Sequence, residues 1–198
     1  GDNGDLHSAY AALKPGLVAA NKRFSSVTVG GRYVCAVDEE TGSAACFGPA
    51  GIPPPPPPDK ADGTGGAYMQ VSVGYGAQDG CAVTTEGALI CWGPHFIWQK
   101  ATGEMMTYAT IDANVGSVSI GSGYVCYKYT SGVLKCMGHL TPNILSNYPF
   151  PSVEVTELSS GPQALCYITS SGDLSCRSIA VPTVAAVPSS ITTPFSEV

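Results

Sequence analysis

The chain has 198 residues, 15 of them acidic against 9 Lys and Arg, for a net charge of −6. That balance argues against nucleic acid as a partner, because phosphate-backbone affinity comes largely from Lys and Arg and no basic stripe is present. Gly (24) and Pro (16) are abundant, which favours turns, and no run of about 20 apolar residues occurs, so membrane insertion is not expected.

Residues 1–5 read as the start of a mature, processed chain. Tyr10 to Lys14 fits one helical turn or an extended arm, and Pro15 ends any helix there. Leu17 and Val18 suggest a first strand. Phe24 to Gly30 suggests a second, with Val27 and Val29 alternating.

Cys35 and Cys46 then flank a tip of Glu39 to Gly42. The next pair shows the chemistry most clearly. Folding Cys81–Cys91 about Glu86 sets Ala82 against Ile90, Val83 against Leu89 and Thr84 against Ala88. The tip Thr85-Glu86-Gly87 is a three-residue hairpin loop with glycine in the left-handed position. Opposed strand residues have Cα atoms roughly 4.5–5.5 Å apart, within the disulfide range of about 4.4–6.8 Å. Cys126 and Cys136 flank Thr130-Ser131-Gly132 in the same way, and Cys166 and Cys176 flank Ser170-Ser171-Gly172.

Disulfides Cys35–Cys46, Cys81–Cys91, Cys126–Cys136 and Cys166–Cys176 are therefore expected, and with them an oxidising compartment. Zinc sites use Cys-x2–4-Cys steps, which these spacings do not offer. Each closed loop of about 11 residues is worth roughly 2–3 kcal/mol in the chain-entropy model.

Each hairpin follows an alternating apolar stretch: Val27 and Val29, Val71 and Val73, Val118 and Ile120, and Val153 and Val155 with Leu158. The first cysteines recur after 46, 45 and 40 residues. Such a period, made of short strands and glycine turns, is the signature of propeller blades.

Val71, Val73 and Gly74, then Cys81-Ala82-Val83, Gly87 and Cys91-Trp92-Gly93 resemble the RCC1-type repeat, the blade of a β-propeller family. Cys35-Ala36-Val37 with Cys46-Phe47-Gly48 is a good copy. The copies at Cys126 and Cys166 are weaker. The likeness covers roughly residues 15–187. Its paired-cysteine form is similar to secreted or cell-surface members. Family members often carry histidine two residues before the first cysteine, where this chain has Tyr33, Asp79, Tyr124 and Ala164. Four repeats are also fewer than the family's usual ring. The founding member's nucleotide exchange and chromatin docking do not carry over, because no residue set for either can be matched.

The linkers differ. Pro53, Pro54, Pro55, Pro56, Pro57 and Pro58 should form polyproline II, about 3.1 Å per residue. They read as a stiff spacer or as a recognition or O-glycosylation site. Asp59 to Gly66 reads as a flexible turn. His95 to Tyr108 is apolar and aromatic, a strand on the blade face or a contact patch. Thr141 to Leu145 and Ala180 to Pro188 resemble the opening of a fresh repeat. No Asn-x-Ser/Thr sequon occurs, so N-glycosylation is not expected.

No catalytic fingerprint appears. His95 and His139 follow the repeated turns, His7 stands alone, and Asp38-Glu39-Glu40 lies on a hairpin tip and is expected to be solvated. No enzyme activity, cofactor or metal is expected.

The sequence thus predicts an all-β fold of four RCC1-like propeller-type repeats, an open or inter-chain-completed array with one intra-hairpin disulfide per repeat. An N-terminal arm covers 1–22, the repeats 23–66, 67–108, 109–150 and 151–179, and a tail 180–198. The expected role is an extracellular structural or adhesive scaffold, self-associating as a surface assembly or filament. Leu17, Val18, Val184 and Val187 are the candidate inter-protomer strands, because the edges of an unclosed array must be covered. A monomeric binding module for other extracellular proteins or glycans, lectin-like or inhibitor-like, is the alternative.

Overall fold

The computed structural model describes residues 6–8, 16–19, 22–31, 33–47, 67–74, 79–93, 98–99, 105–106, 108–138 and 153–178. Among these residues the fold is all-β, with four antiparallel sheets of three or four strands and no helix.

A short ribbon pairs β1 (Leu6–Ser8) with β2 (Gly16–Ala19). The first blade is β3 (Phe24–Val29), β4 (Val34–Asp38) and β5 (Ala44–Phe47). The second is β6 (Tyr68–Val73), β7 (Gly80–Thr84) and β8 (Leu89–Trp92). A second ribbon pairs β9 (Trp98–Gln99) with β10 (Met105–Met106). The chain then returns as β11 (Tyr108–Asp112), which pairs with β8 as the fourth strand of the second blade. The third blade is β12 (Val115–Ile120), β13 (Tyr124–Tyr129) and β14 (Leu134–Gly138). The fourth is β15 (Val155–Ser160), β16 (Ala164–Thr169) and β17 (Leu174–Ser178).

Every first strand breaks register at the same place, between Phe24 and Ser26, Tyr68 and Gln70, Val115 and Ser117, and Val155 and Glu157. One extra residue there (Ser25, Met69, Gly116 or Thr156) makes a β-bulge. A bulge bends the strand and increases its right-handed twist, which suits blades that lean on one another. The bulges also fix the equivalences between blades: Val27 corresponds to Val71, Val118 and Leu158, and Val29 to Val73, Ile120 and Ser160. Val155 therefore opens its strand in the place of Val115. The alternating pair of the fourth repeat is Leu158 and Ser160, five residues later than the Val153 and Val155 of the sequence reading.

The core lies between blades. Cys35 and Val37 of the first blade pack with Val71 and Val73 of the second. Cys81, Val83, Leu89 and Cys91 pack with Val118 and Ile120 of the third. Cys126, Leu134 and Cys136 pack with Val155, Leu158 and Tyr167 of the fourth. Each blade thus presents a cysteine-bearing trailing face and an apolar leading strand. A single blade has too little surface to bury alone, so stacking supplies the driving force.

Candidate functional site

The predicted disulfides form: Cys35–Cys46, Cys81–Cys91, Cys126–Cys136 and Cys166–Cys176. Their Cα atoms are 4.0–4.1 Å apart, closer than the sequence expectation. Hydrogen-bond phase explains the difference. The Thr84 N–H donates to the Ala88 carbonyl, and bonded and non-bonded pairs alternate away from the tip. Cys81 and Cys91, three residues on, therefore face each other at a non-bonded pair, where the chains approach most closely. The same count holds from Asp38 N–H to Ser43, Tyr129 N–H to Val133 and Thr169 N–H to Asp173.

The glycine tips do more than turn the chain. The Gly42 carbonyl accepts a hydrogen bond from Tyr68 N–H (2.8 Å), Gly87 from Val115 N–H (2.9 Å) and Gly132 from Val155 N–H (2.9 Å). Each tip is thus a main-chain latch onto the first residue of the next blade. Serine clips add to it: Ser72 Oγ accepts from Ile120 N–H (3.1 Å), and Ser119 Oγ from Ser160 N–H (2.8 Å). Gln70 Oε1 likewise accepts from Val118 N–H at 2.9 Å.

Tyr124 stands at a position where the family often has histidine. Its hydroxyl donates toward the Gly161 and Ala164 carbonyls of the fourth blade, 2.8 Å from each. Burial pushes the Tyr124 phenol up to about 12. This position is a bridge between blades.

A polar group missed by the sequence reading joins the second blade to the third. Asp112, at the end of β11, accepts hydrogen bonds on Oδ2 from the hydroxyls of Tyr127 (2.8 Å) and Tyr129 (2.6 Å) and from Lys135 Nζ (3.0 Å). The Tyr129 hydroxyl, foremost among these, holds the Asp112 carboxyl well below the usual range against the opposing effect of burial. Its bond to Asp112 raises Lys135, and burial raises the Tyr127 phenol. Near neutral pH the Asp112 carboxylate is therefore charged beside the Lys135 ammonium, and the Tyr127 phenol keeps its proton. Only the return of β11 beside β8 brings Asp112 to these partners, and no local motif announces it.

Asp38 caps the first tip. Its carboxylate accepts from Lys22 Nζ at 2.9 Å, from the Thr41 N–H and hydroxyl, and from Glu40 N–H. The Lys22 bond, then those of Thr41, hold it down at about 2. Asp38 is thus buried and engaged, not solvated as a tip residue was expected to be.

Among the described residues the repeated contacts stop at the first and fourth blades. Val27 and Val29 are 57% and 68% exposed, whereas Val71, Val73, Val118 and Ile120 in the equivalent places are buried. At the other end, a Cβ built on Gly172 would meet nothing within 4 Å, while one on Gly42 would lie 2.3 Å from Ala67 Cβ. Of the candidate exchange residues, Leu17 and Val18 lie in β2, beside β1 of the same chain. Val184, Val187 and Pro53 to Pro58 lie outside the described residues, as do His95 and His139. Among the described residues no cluster of three His, Cys, Asp or Glu side chains could hold a metal ion.

Neither a protein-family model nor a curated protein sequence matches the chain. Solved structures do. The ectodomain of the Physcomitrella patens receptor kinase CR4 is similar at a TM-score of 0.64 and 15% identity, over 93% of this chain and 47% of that one. Human WBSCR16 gives 0.62 and 15%, over 83% and 50%. Prp20p of Saccharomyces cerevisiae, the yeast RCC1, gives 0.59 and 15%, over 83% and 48%. The architecture is thus an RCC1-like β-propeller repeat fold. The chain spans about half the length of these propellers.

Proposed function

We propose that the chain is an extracellular structural scaffold that works by self-association. The observation that carries this reading is the uncovered leading strand, with Val27 and Val29 in the open where their equivalents are buried. Exposed apolar strand surface at an unclosed end is a ready template for association. Four disulfides in one small chain favour an oxidising compartment, and a receptor-kinase ectodomain among the structural neighbours agrees with an extracellular setting.

The role proposed is one of binding. Prp20p, studied for its binding to Gsp1p and histones, is a precedent for protein binding by this architecture. Sedimentation velocity of the oxidised chain tests the proposal. The weight-average mass should rise with concentration and fall on dilution. A monomer at every concentration, with full disulfide content, would refute it.

A further inference from the structure

Three junctions inside the chain are built from the same parts. A tip glycine carbonyl receives the first N–H of the next blade, at Gly42–Tyr68, Gly87–Val115 and Gly132–Val155. A cysteine face receives the apolar residues of the next leading strand. At the second and third junctions a serine hydroxyl also receives a main-chain N–H from that strand.

The two ends of the array carry the separated halves of one more such junction. On the first blade, Phe24 holds the place of Tyr68, Val115 and Val155. The Glu39 N–H to Arg23 carbonyl bond beside it is the counterpart of Thr85 to Ala67, Thr130 to Asn114 and Ser170 to Glu154. In each of the later blades that arrangement turns the first N–H of the strand outward, toward the preceding tip. Val27 and Val29 follow on the same strand, exposed. On the fourth blade, Gly172 has the left-handed conformation of the other tips (φ 87°) and open space around it. Ser159, the counterpart of Ser72 and Ser119, is exposed, and Cys166, Leu174 and Cys176 are only half-buried where Cys126, Leu134 and Cys136 are buried.

We infer that this fourth junction is made between molecules: the leading strand of the first blade docks on the trailing face of the fourth blade of a second copy. The inference rests on the self-association reading and gives it a register. Phe24 N–H meets the Gly172 carbonyl, Val29 N–H meets Ser159 Oγ, and Val27 and Val29 cover the Cys166–Cys176 face. The surfaces differ on the two partners, so the contact is heterologous: it closes into a ring where the rotation from copy to copy returns on itself and otherwise continues as a filament. It needs no exchange of a strand, because both halves are already shaped in the single chain.

Two substitutions test it, Val29→Glu on the leading strand and Ser159→Glu on the trailing face. Both residues are exposed, so the free chain keeps its fold. Circular dichroism and the absence of free thiols check this, and Val27→Glu is a second probe of the same edge. Each variant alone should sediment as a monomer at concentrations where the unaltered chain assembles. Mixed in equal amounts, they should give a species of twice the monomer mass that grows no further, since one copy keeps a sound trailing face and the other a sound leading strand. Assembly of either variant like the unaltered chain would overturn the end-to-end contact and leave self-association standing. A mixture that stays monomeric would overturn it as well. An unaltered chain that never assembles would remove both readings together.

Discussion

Two glycines with the same backbone conformation make a sharp comparison. Gly42 (φ 67°) and Gly172 (φ 87°) both occupy the left-handed region. Replacing either with alanine costs about 1–2 kcal/mol for that conformation alone. At Gly42 the new Cβ would also lie 2.3 Å from Ala67 Cβ and 3.0 Å from Ala67 Cα. Relieving that overlap means separating the first two blades, an overpacking cost of about 1–3 kcal/mol. The separation also strains the Gly42–Tyr68 latch, a hydrogen bond worth about 0.5–1.5 kcal/mol. Gly42→Ala should therefore destabilise by roughly 2.5–6.5 kcal/mol and Gly172→Ala by roughly 1–2 kcal/mol. Urea unfolding with the disulfides intact, on dilute samples where the chain is monomeric, measures both. Equal losses would refute the idea that tip glycines latch one blade to the next while the last tip stands open.

Other consequences follow from the polar bridges. Asp112→Asn removes the charge that organises Tyr127, Tyr129 and Lys135 and should lower stability by about 1–3 kcal/mol; an unchanged urea midpoint would mean the group is ornamental. Tyr124→Phe deletes the hydroxyl donated toward Gly161 and Ala164 and should cost about 0.5–1.5 kcal/mol, with loss of a tyrosine titrating near pH 12 in the ultraviolet absorbance; a titration curve identical to the parent's would contradict the assignment. Asp38 is depressed from 3.8 to about 2 on folding, so its contribution is full above the unfolded value and is lost as pH falls toward 2. Stability of Asp38→Asn should accordingly vary less than the parent's between about pH 4 and pH 2, and parallel acid profiles would refute this.

The hairpins were legible in the sequence because they are local. Two cysteines, three or four tip residues and a closing glycine lie within a dozen positions, and strand alternation leaves little freedom in how they pair. The finer register of the leading strands was not legible, because Ser25, Met69, Gly116 and Thr156 share no side-chain chemistry that would mark a bulge. That is why Val153 and Val155 looked like the fourth alternating pair when Leu158 and Ser160 hold those places. The Asp112 group was hidden for a different reason. Its residues come from two blades, and β11 reaches β8 only after the chain has left it through the ribbon of β9 and β10. The tip glycines were read as turn residues, which they are. Their second role as latches depends on the neighbouring blade and no single repeat displays it.

If the two ends of the four stapled blades fit one another, copies of the chain join end to end. Negative-stain microscopy of the oxidised chain at rising concentration tests it most directly. Linked, co-directional particles should appear, lengthen or join as concentration rises, and vanish with Val29→Glu. A field of discrete four-blade particles at every concentration would contradict it.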